Sequence, residues 1–402
     1  MALSLSRNAT VILSYQASTD TAWDGLGREP SEANTFEIPV LDGFSFSQAT
    51  GTQNVTLNEA GTSPKRGQAI FNTSIEPVDW SFTTYMRPRI DDLGTDLHGM
   101  TEKILWNALV ASTKTDNVGS GGITSTATEC TVDLEESNKN QLLKLTGWFV
   151  FSDSSINYRL KNMCVNSASM DFDVDGIAQI TWSGYAEAVD SVTGATCSDS
   201  AYTTKATCTA ASETWTAGAT PSTGGDATDG YALAPATADF ILNRLSTVVL
   251  TSSISGSSKN YTFALTGGNV TIDNGITYVT PESLGRINVP IGHQTGTRAV
   301  SGNFTAYLDT AALSTKVMYE DILADINAAD PDTITNVFTI ELKIGGASAP
   351  NVIFLMPKAH LELPSLDTAD VMGVTITWTA LEDGFGSGND EATIQYTGLT
   401  TV

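Results

Sequence analysis

The chain has 402 residues, with 45 Asp and Glu against 20 Lys and Arg, a formal charge of −25 and a pI near 4.2. A surface this acidic repels a phosphate backbone, which excludes sequence-specific nucleic-acid binding through a basic face. Hydrophobic residues make up 41% and the mean hydropathy is −0.04, as in a folded chain, and no apolar run approaches the ~20 residues a bilayer crossing needs.

Only 16% of residues are charged, and most other polar positions are Ser, Thr, Asn and Gly, which suit strands, turns and hydroxyl-lined surfaces. The N-terminus, MALSLSRNATVILSYQ, carries Arg7 inside its apolar stretch and lacks the basic start and continuous apolar block of a secretion signal. Next comes FEIPVLDGFSFSQATGTQNVT, two alternating runs about Gly43 that read as a hairpin. DWSFTTYMRP then alternates as a half-buried strand, with Phe82, Thr84 and Met86 on one face and Thr83 and Tyr85 on the other. Leu97, Ile104, Leu105, Ala108 and Leu109 recur at helical spacing, and a loop near 112–128 includes VGSGG. SMDFDVDGIAQITWSGYAE closes the first half as strands. In it, Met170, Phe172 and Val174 are expected to face a core, and Asp171, Asp173 and Asp175 to form an acidic stripe on the other side.

Residues 188–238 are dominated by Ser, Thr, Ala and Gly, a composition that builds no core, and read as a linker enlarged into a surface insertion. Cys197 and Cys208 within it could close a small disulfide loop or remain two thiols. Beyond the insertion the earlier pattern returns in the same order. YTFALTGGNVTIDNGITYVT about Gly268 echoes the first hairpin, and SGNFTAYLDT, with Phe304, Thr305 and Tyr307, echoes the run holding Phe82, Thr83 and Tyr85. Ala312, Tyr319, Ile322, Leu323 and Ile326 predict a second helix capped by Asp309 or Thr310. HLELPSLDTADVMGVTITWTALE sets Ile376-Thr377-Trp378-Thr379 against Ile180-Thr181-Trp182-Ser183, and FGSGNDEATIQYTGLTTV reads as a C-terminal arm. Four elements recurring in one order predict a duplication: a first domain over 1–187, the insertion over 188–238 and a second domain over 239–402. Each is expected to be a mainly β, α+β unit, an antiparallel sandwich or barrel with one packed helix.

Motifs for chemistry are few. DFDVDG begins like an EF-hand loop, but the twelfth position is Trp182 where a bidentate Glu is required. His98, His293 and His360 are isolated, the four cysteines form no paired CxxC pattern, and no HExxH, GxSxG or phosphate-loop motif occurs. The expectation is a structural protein, not an enzyme, with no cofactor or metal.

The acidic Thr-rich composition, the early Gly-centred run, the strand FTTYM or FTAYL before a single helix, and a closing strand such as VTITWTALE together resemble the tail tube, or major tail, proteins of long-tailed bacteriophages. The resemblance implies a virion protein made in the host cytoplasm that partners itself and other tail proteins. Family members usually stack as hexameric rings about a channel that passes DNA. Two domains per chain then imply trimeric rings with pseudo-sixfold symmetry. The residues that carry the likeness are Phe82, Tyr85, Trp182, Phe304, Tyr307 and Trp378, and Asp171, Asp173 and Asp175 are the candidate lumen stripe. Other virion parts, such as a baseplate or capsid-decorating subunit, and a surface β-sandwich adhesin are the alternatives.

Overall fold

A computed structural model describes residues 9–15, 35–41, 43–55, 69–91, 97–111, 122–134, 142–151, 156–192, 196–198, 211, 215–216, 239–252, 258–285, 287–328, 337–368, 371–382 and 390–399. The fold is mainly β and antiparallel. The first half comprises β1 (Ala9–Tyr15), β2 (Thr35–Ile38), β3 (Ser45–Val55), β4 (Ala69–Tyr85), β5 (Pro88–Asp91), β6 (Leu97–Met100), α1 (Lys103–Val110), β7 (Ile123–Ser125), β8 (Cys130–Asp133), β9 (Leu145–Phe151), β10 (Ile156–Asp173), β11 (Gln179–Ala186) and β12 (Ala188–Val192). The short strands β13 (Thr196–Cys197) and β14 (Trp215–Thr216) pair within the Ser/Thr-rich stretch. The second half comprises β15 (Thr247–Ser252), β16 (Lys259–Phe263), β17 (Leu265–Asp273), β18 (Thr277–Val279), β19 (Gly292–Gln294), β20 (Ala299–Tyr307), α2 (Thr315–Ala328), β21 (Val337–Ile344), β22 (Asn351–Leu361), β23 (Ser365–Asp367), β24 (Gly373–Ala380) and β25 (Thr393–Thr397).

One long sheet organises these elements. Its order is β3-β4-β11-β10 in the first half and β17-β20-β24-β22 in the second, and β10 pairs with β17 to make it continuous. Against it lie two smaller sheets, β2-β1-β9-β10-β12 and β16-β15-β21-β22-β25. Strands β10 and β22 are long enough to belong to two sheets each. The order of pairing is thus the same in both halves.

The core is built from the alternation read in the sequence. Val78, Trp80, Phe82 and Thr84 of β4 are buried, as are Ile180 and Trp182 of β11 and Ile376 and Trp378 of β24. Phe149 of β9 meets Phe82 edge-on with ring centroids 6.5 Å apart, fastening a small sheet to the long one. Each such fully buried side chain contributes about 1.5–3 kcal/mol. The repeated motifs lie on equivalent strands but not in equivalent register. Trp182 stands opposite Phe82, whereas Trp378 stands opposite Gly302 and Phe304 opposite Ile376. A slip of two residues leaves every side chain on its face, which is why the pattern survives it.

Several expectations change. The runs flanking Gly43 and Gly268 are not hairpins: β2 pairs with β1 and β3 with β4, while β16 pairs with β15 and β17 with β20. At each place the chain leaves one sheet for another, and Gly43 supplies the positive φ of 88° that the first corner uses. Leu97 belongs to β6, not to a helix. Helix α2 starts at Thr315, five residues past Thr310, and turns Met318 and Ile322 to the core while Leu323 and Ile326 are exposed. The two helices also differ in place, since α1 packs on β10 and β8 but α2 on β16. The segment read as an arm contains β25, an interior strand between β22 and β8. Residues 112–121 and Cys208, and with it the Cys197–Cys208 bridge, lie outside the described residues.

Because β25 pairs with a strand of each half, the C-terminus clasps the halves together. Tyr396 on it is fully buried and accepts a hydrogen bond from Trp106 Nε1 at 2.8 Å, Gly398 N donates to His98 Nδ1 at 3.0 Å, and Arg298 pairs with Glu391 at 2.7 Å. Glu102 sits beneath this clasp, 1% exposed, with no well-aligned hydrogen-bond partner on its carboxylate oxygens among the described residues. Burial pushes its pKa up to about 7, against the opposing pull of Tyr396 and Arg87.

Two predictions follow from this packing. The neutral acid is the tolerated form of Glu102. Its stability is therefore complete below the unfolded pKa of 4.5 and is lost as pH rises through about 7. At about 1.4 kcal/mol per pKa unit the loss is about 3 kcal/mol. Denaturant unfolding of Glu102→Gln should shift in the variant's favour by that amount between pH 4.5 and 8, whereas parallel curves would exclude the assignment. At Gly302 a Cβ would stand 2.1 Å from Asn269 O and 2.7 Å from the Trp378 ring. Gly302→Ala should accordingly cost about 1–3 kcal/mol, and the exposed Thr377→Ala within about 0.5 kcal/mol, on the same unfolding assay.

A candidate functional surface on the long sheet

The face of the long sheet opposite the core is polar from edge to edge. Rows of residues cross it strand by strand. One runs Thr83, Thr181, Ser169, Thr271, Ser301, Thr379, His360, and another runs Ser45, Ser81, Ser183, Ser167, Asp273. Neighbouring hydroxyls bond laterally: Ser45 to Ser81 at 2.9 Å, Thr83 to Thr181 at 3.0 Å, and Ser169 to Thr271 at 3.1 Å. Asn303 Nδ2 donates to Asn269 Oδ1 at 3.1 Å in the same manner. Such cross-strand pairs contribute a few tenths of a kcal/mol each and hold the side chains flat against the sheet.

The charges on this face have one sign along most of its width. Asp79, Asp171, Asp173 and Asp273 stand on it, and Glu362 follows at the β22 edge. Strands β3, β4, β11, β17, β20 and β24 and the Cys164–Asp173 half of β10 contain no Lys or Arg, and β22 contains only Lys358. A phosphate chain moving along this surface meets hydroxyls, amides and carboxylates and little that would hold it.

Of the sequence-named aspartates, Asp171 and Asp173 lie exposed on this face, opposite Asn269 and Gly267. Asp175 does not continue the stripe. Strand β10 ends at Asp173, so Val174 is 41% exposed instead of core-facing, and Asp175 lies in the following turn in an ion pair with Arg244. Tyr85 and Tyr307 lie on the polar face, while Phe82, Trp182, Phe304 and Trp378 lie on the core face. Asp79, Asp273 and Glu362 were missed. Their signal, an acidic residue in phase with alternating hydroxyls, was present in VDWSFTTY and in NVTID. Among the described residues no group of three or more His, Cys, Asp or Glu could hold a metal ion, and no helix is long and apolar enough to cross a membrane.

This chain is 27% identical over 363 residues to the tail tube protein pb6 of Escherichia phage T5, across 90% of the chain and 71% of that protein. Residues 10–380 match the family described as phage tail tube protein, a structural and not an enzymatic family. The chain therefore belongs to the phage tail tube proteins, structural components of the virion tail.

Proposed function

We propose that the chain is an internally duplicated tube protein, with domains 1–187 and 239–402 joined through 188–238, whose first residues form β12 on the first half's small sheet, and that three copies close into a pseudo-sixfold ring. Rings then stack into a tube whose lumen is the polar face of the long sheet, through which DNA is ejected. The observation that carries this reading is the base-poor polar face on a sheet whose strand order repeats in the two halves. Closed cyclic symmetry needs a heterologous contact that repeats until it meets itself, and a chain with two like halves fills six places with three copies. Three chains at −25 each give the ring a strongly negative total. At physiological salt its repulsion of phosphate extends roughly 8–10 Å into the lumen. By analogy with obligate assemblies, neighbouring rings should bury more than about 2,000 Å².

Asp171 and Asp173 are the lumen positions taken from the sequence-read stripe, together with Asp79, Asp273 and Glu362. The Ser/Thr-rich residues after β12 belong outside the wall, because a channel that passes DNA cannot hold a long unpacked loop. Chains lacking residues 198–236 should still form tubes.

A reconstructed cross-section of purified tubes tests the core of the reading. Three chains per ring and a wall lined by Ser, Thr, Asn and Asp are expected. Six chains, or a wall lined by Lys and Arg, would refute it. A Thr181→Arg, Thr377→Arg variant should build normal tubes, since both side chains are exposed, yet slow DNA release from reassembled virions in a salt-sensitive way.

A further inference from the structure

Between Asp273, where β17 ends, and Ala299, where β20 begins, the second half sends a strap across to the first. Its centre is the pair β18 and β19. Backbone bonds tie it down at two places: Asn274 N donates to Asn166 O at 2.9 Å, and farther out Ile75 N donates to Asn288 O at 2.8 Å while Asn288 N donates to Thr73 O at 3.1 Å. Side chains add to these, since Ile276 N donates to Asn166 Oδ1 at 2.7 Å and the Tyr278 hydroxyl donates to Asn162 O.

The strap has a small apolar cluster of its own. Ile276 and Tyr278 meet Leu142, Cys164 and Tyr185 there, apart from the main core. Its outer residues Leu284, Val289 and Ile291 are exposed. At its base two glycines touch: Gly275 has a φ of 57°, and a Cβ on Gly296 would stand 2.6 Å from Gly275 O. A segment held by few bonds and a separate cluster opens at a lower free energy than the sheet it leaves.

His293 of β19 is enclosed in this contact, 2% exposed, with its ring 5.7 Å from that of Tyr278. Its Nε2 accepts a hydrogen bond from Leu142 N of the first half at 3.1 Å, so the ring is neutral and carries its proton on Nδ1. That Nδ1 is buried with no hydrogen-bond partner among the described residues. The charge that bears on the ring is Lys144, and together with burial it lowers the pKa of His293 to about 4. Nearby groups offer it no anion. Burial pushes the Cys164 thiol up to about 12 and raises Tyr185 and Tyr278, so all three are neutral. Glu187, which bears on Tyr278, is bonded to Asn162 Nδ2, and Asp79 and Asp273 bear on Tyr185.

We propose that the strap is an acid-released latch between the two halves, with the His293 imidazole as its trigger. Neutral, the ring accepts from Leu142 and the latch is shut. Protonated, both nitrogens bear hydrogen, so the Leu142 N–H loses its acceptor and a cation is enclosed beside Lys144. The strap then swings out about Gly275 and Gly296, where the ring is hydrated, and β17 and β20 stay paired behind it. The latch acts within one chain and does not depend on the ring proposed above.

Hydrogen exchange of the full chain tests this, with His293→Gln as the reference, because a glutamine oxygen can accept from Leu142 and does not titrate. Intrinsic exchange cancels in the ratio of wild type to variant at each pH. For the amides of Ile75, Ile276 and Asn288 that ratio should rise about 30-fold from pH 7.5 to 5, given a pKa of 6.5 with the strap open and about 4 with it shut. The amides of β20 and β24 should show no rise. An unchanged ratio at the strap would overturn the latch, and so would an equal rise in β20 and β24, which is global unfolding. Wild type gives a second measurement that needs no variant to fold. The chain has three histidines, so nitrogen NMR of histidine-labelled protein resolves each ring. His293 should hold its proton on Nδ1 and stay neutral at pH 5. A proton on Nε2, or titration near 6.5 in the folded chain, would sink the proposal.

Discussion

The period of two along the long sheet is the constraint on which the molecule depends. Successive side chains point to opposite faces, so a strand with a continuous apolar core on one side is committed to a continuous surface on the other. Eight strands share that commitment, and β10 and β22 extend it into the smaller sheets that close the core. Behind the polar residues Trp80 stacks on Phe82 along β4 at 5.3 Å and Phe304 of β20 on Trp378 of β24 at 5.6 Å, while the backbone ladders set the strand spacing at which hydroxyls on the front bond sideways.

Much of this was legible in the sequence because alternation is a local signal. Phe82, Thr84 and Met86 are buried as the pattern requires, and the faces of the ITW strands came out the same way. What failed was long-range. The runs about Gly43 and Gly268 have the composition of hairpins, and only the partner strands, β4 and β20, reveal that the chain changes sheets there. Likewise the apolar spacing of the second helix did not identify which side would find a core. Val174 and Asp175 were misplaced because a period extrapolates past the residue where the strand stops. The surface was half-read: the aspartates in DFDVD were seen as a stripe, but the hydroxyl rows that surround them draw on six other strands as well as β10 and appear only after pairing.

The two halves share a strand order yet differ where they touch each other. Helix α1 is buried throughout and lies close under the clasp, with Trp106 bonded to Tyr396 and the Leu109 carbonyl accepting from Asn274 Nδ2 at 2.8 Å. Helix α2 instead packs at the far end of its small sheet, anchored by Asp321 to Lys259 and Tyr261 at 2.7 and 2.6 Å. Equal topology with unequal junctions is what a joined pair permits and a ring of single domains does not. The joint inside the chain can gain strands and buried ion pairs such as Arg298 with Glu391, because its two partners are always present at once.

The distribution of acid on the polar face follows from electrostatics. Two carboxylates directly opposite on neighbouring strands, about 5 Å apart, would repel by about 1 kcal/mol even at the dielectric constant of water. No such pair occurs along the rows: Asp171 faces Asn269, Asp173 faces Gly267, Asp79 faces Ser47 and Tyr185, Asp273 faces Ser167 and Ala299, and Glu362 faces Thr377. Across the strands each carboxylate therefore faces a neutral residue, and Asp171 and Asp173 are neighbours only along β10, two residues apart. Direct cross-strand opposition of two carboxylates, the arrangement with the strongest repulsion between strands, is thereby avoided. On the proposed reading of this face as a lumen, carboxylates spread among hydroxyls and amides suit passage of a polyanion better than the same charges gathered in a few places.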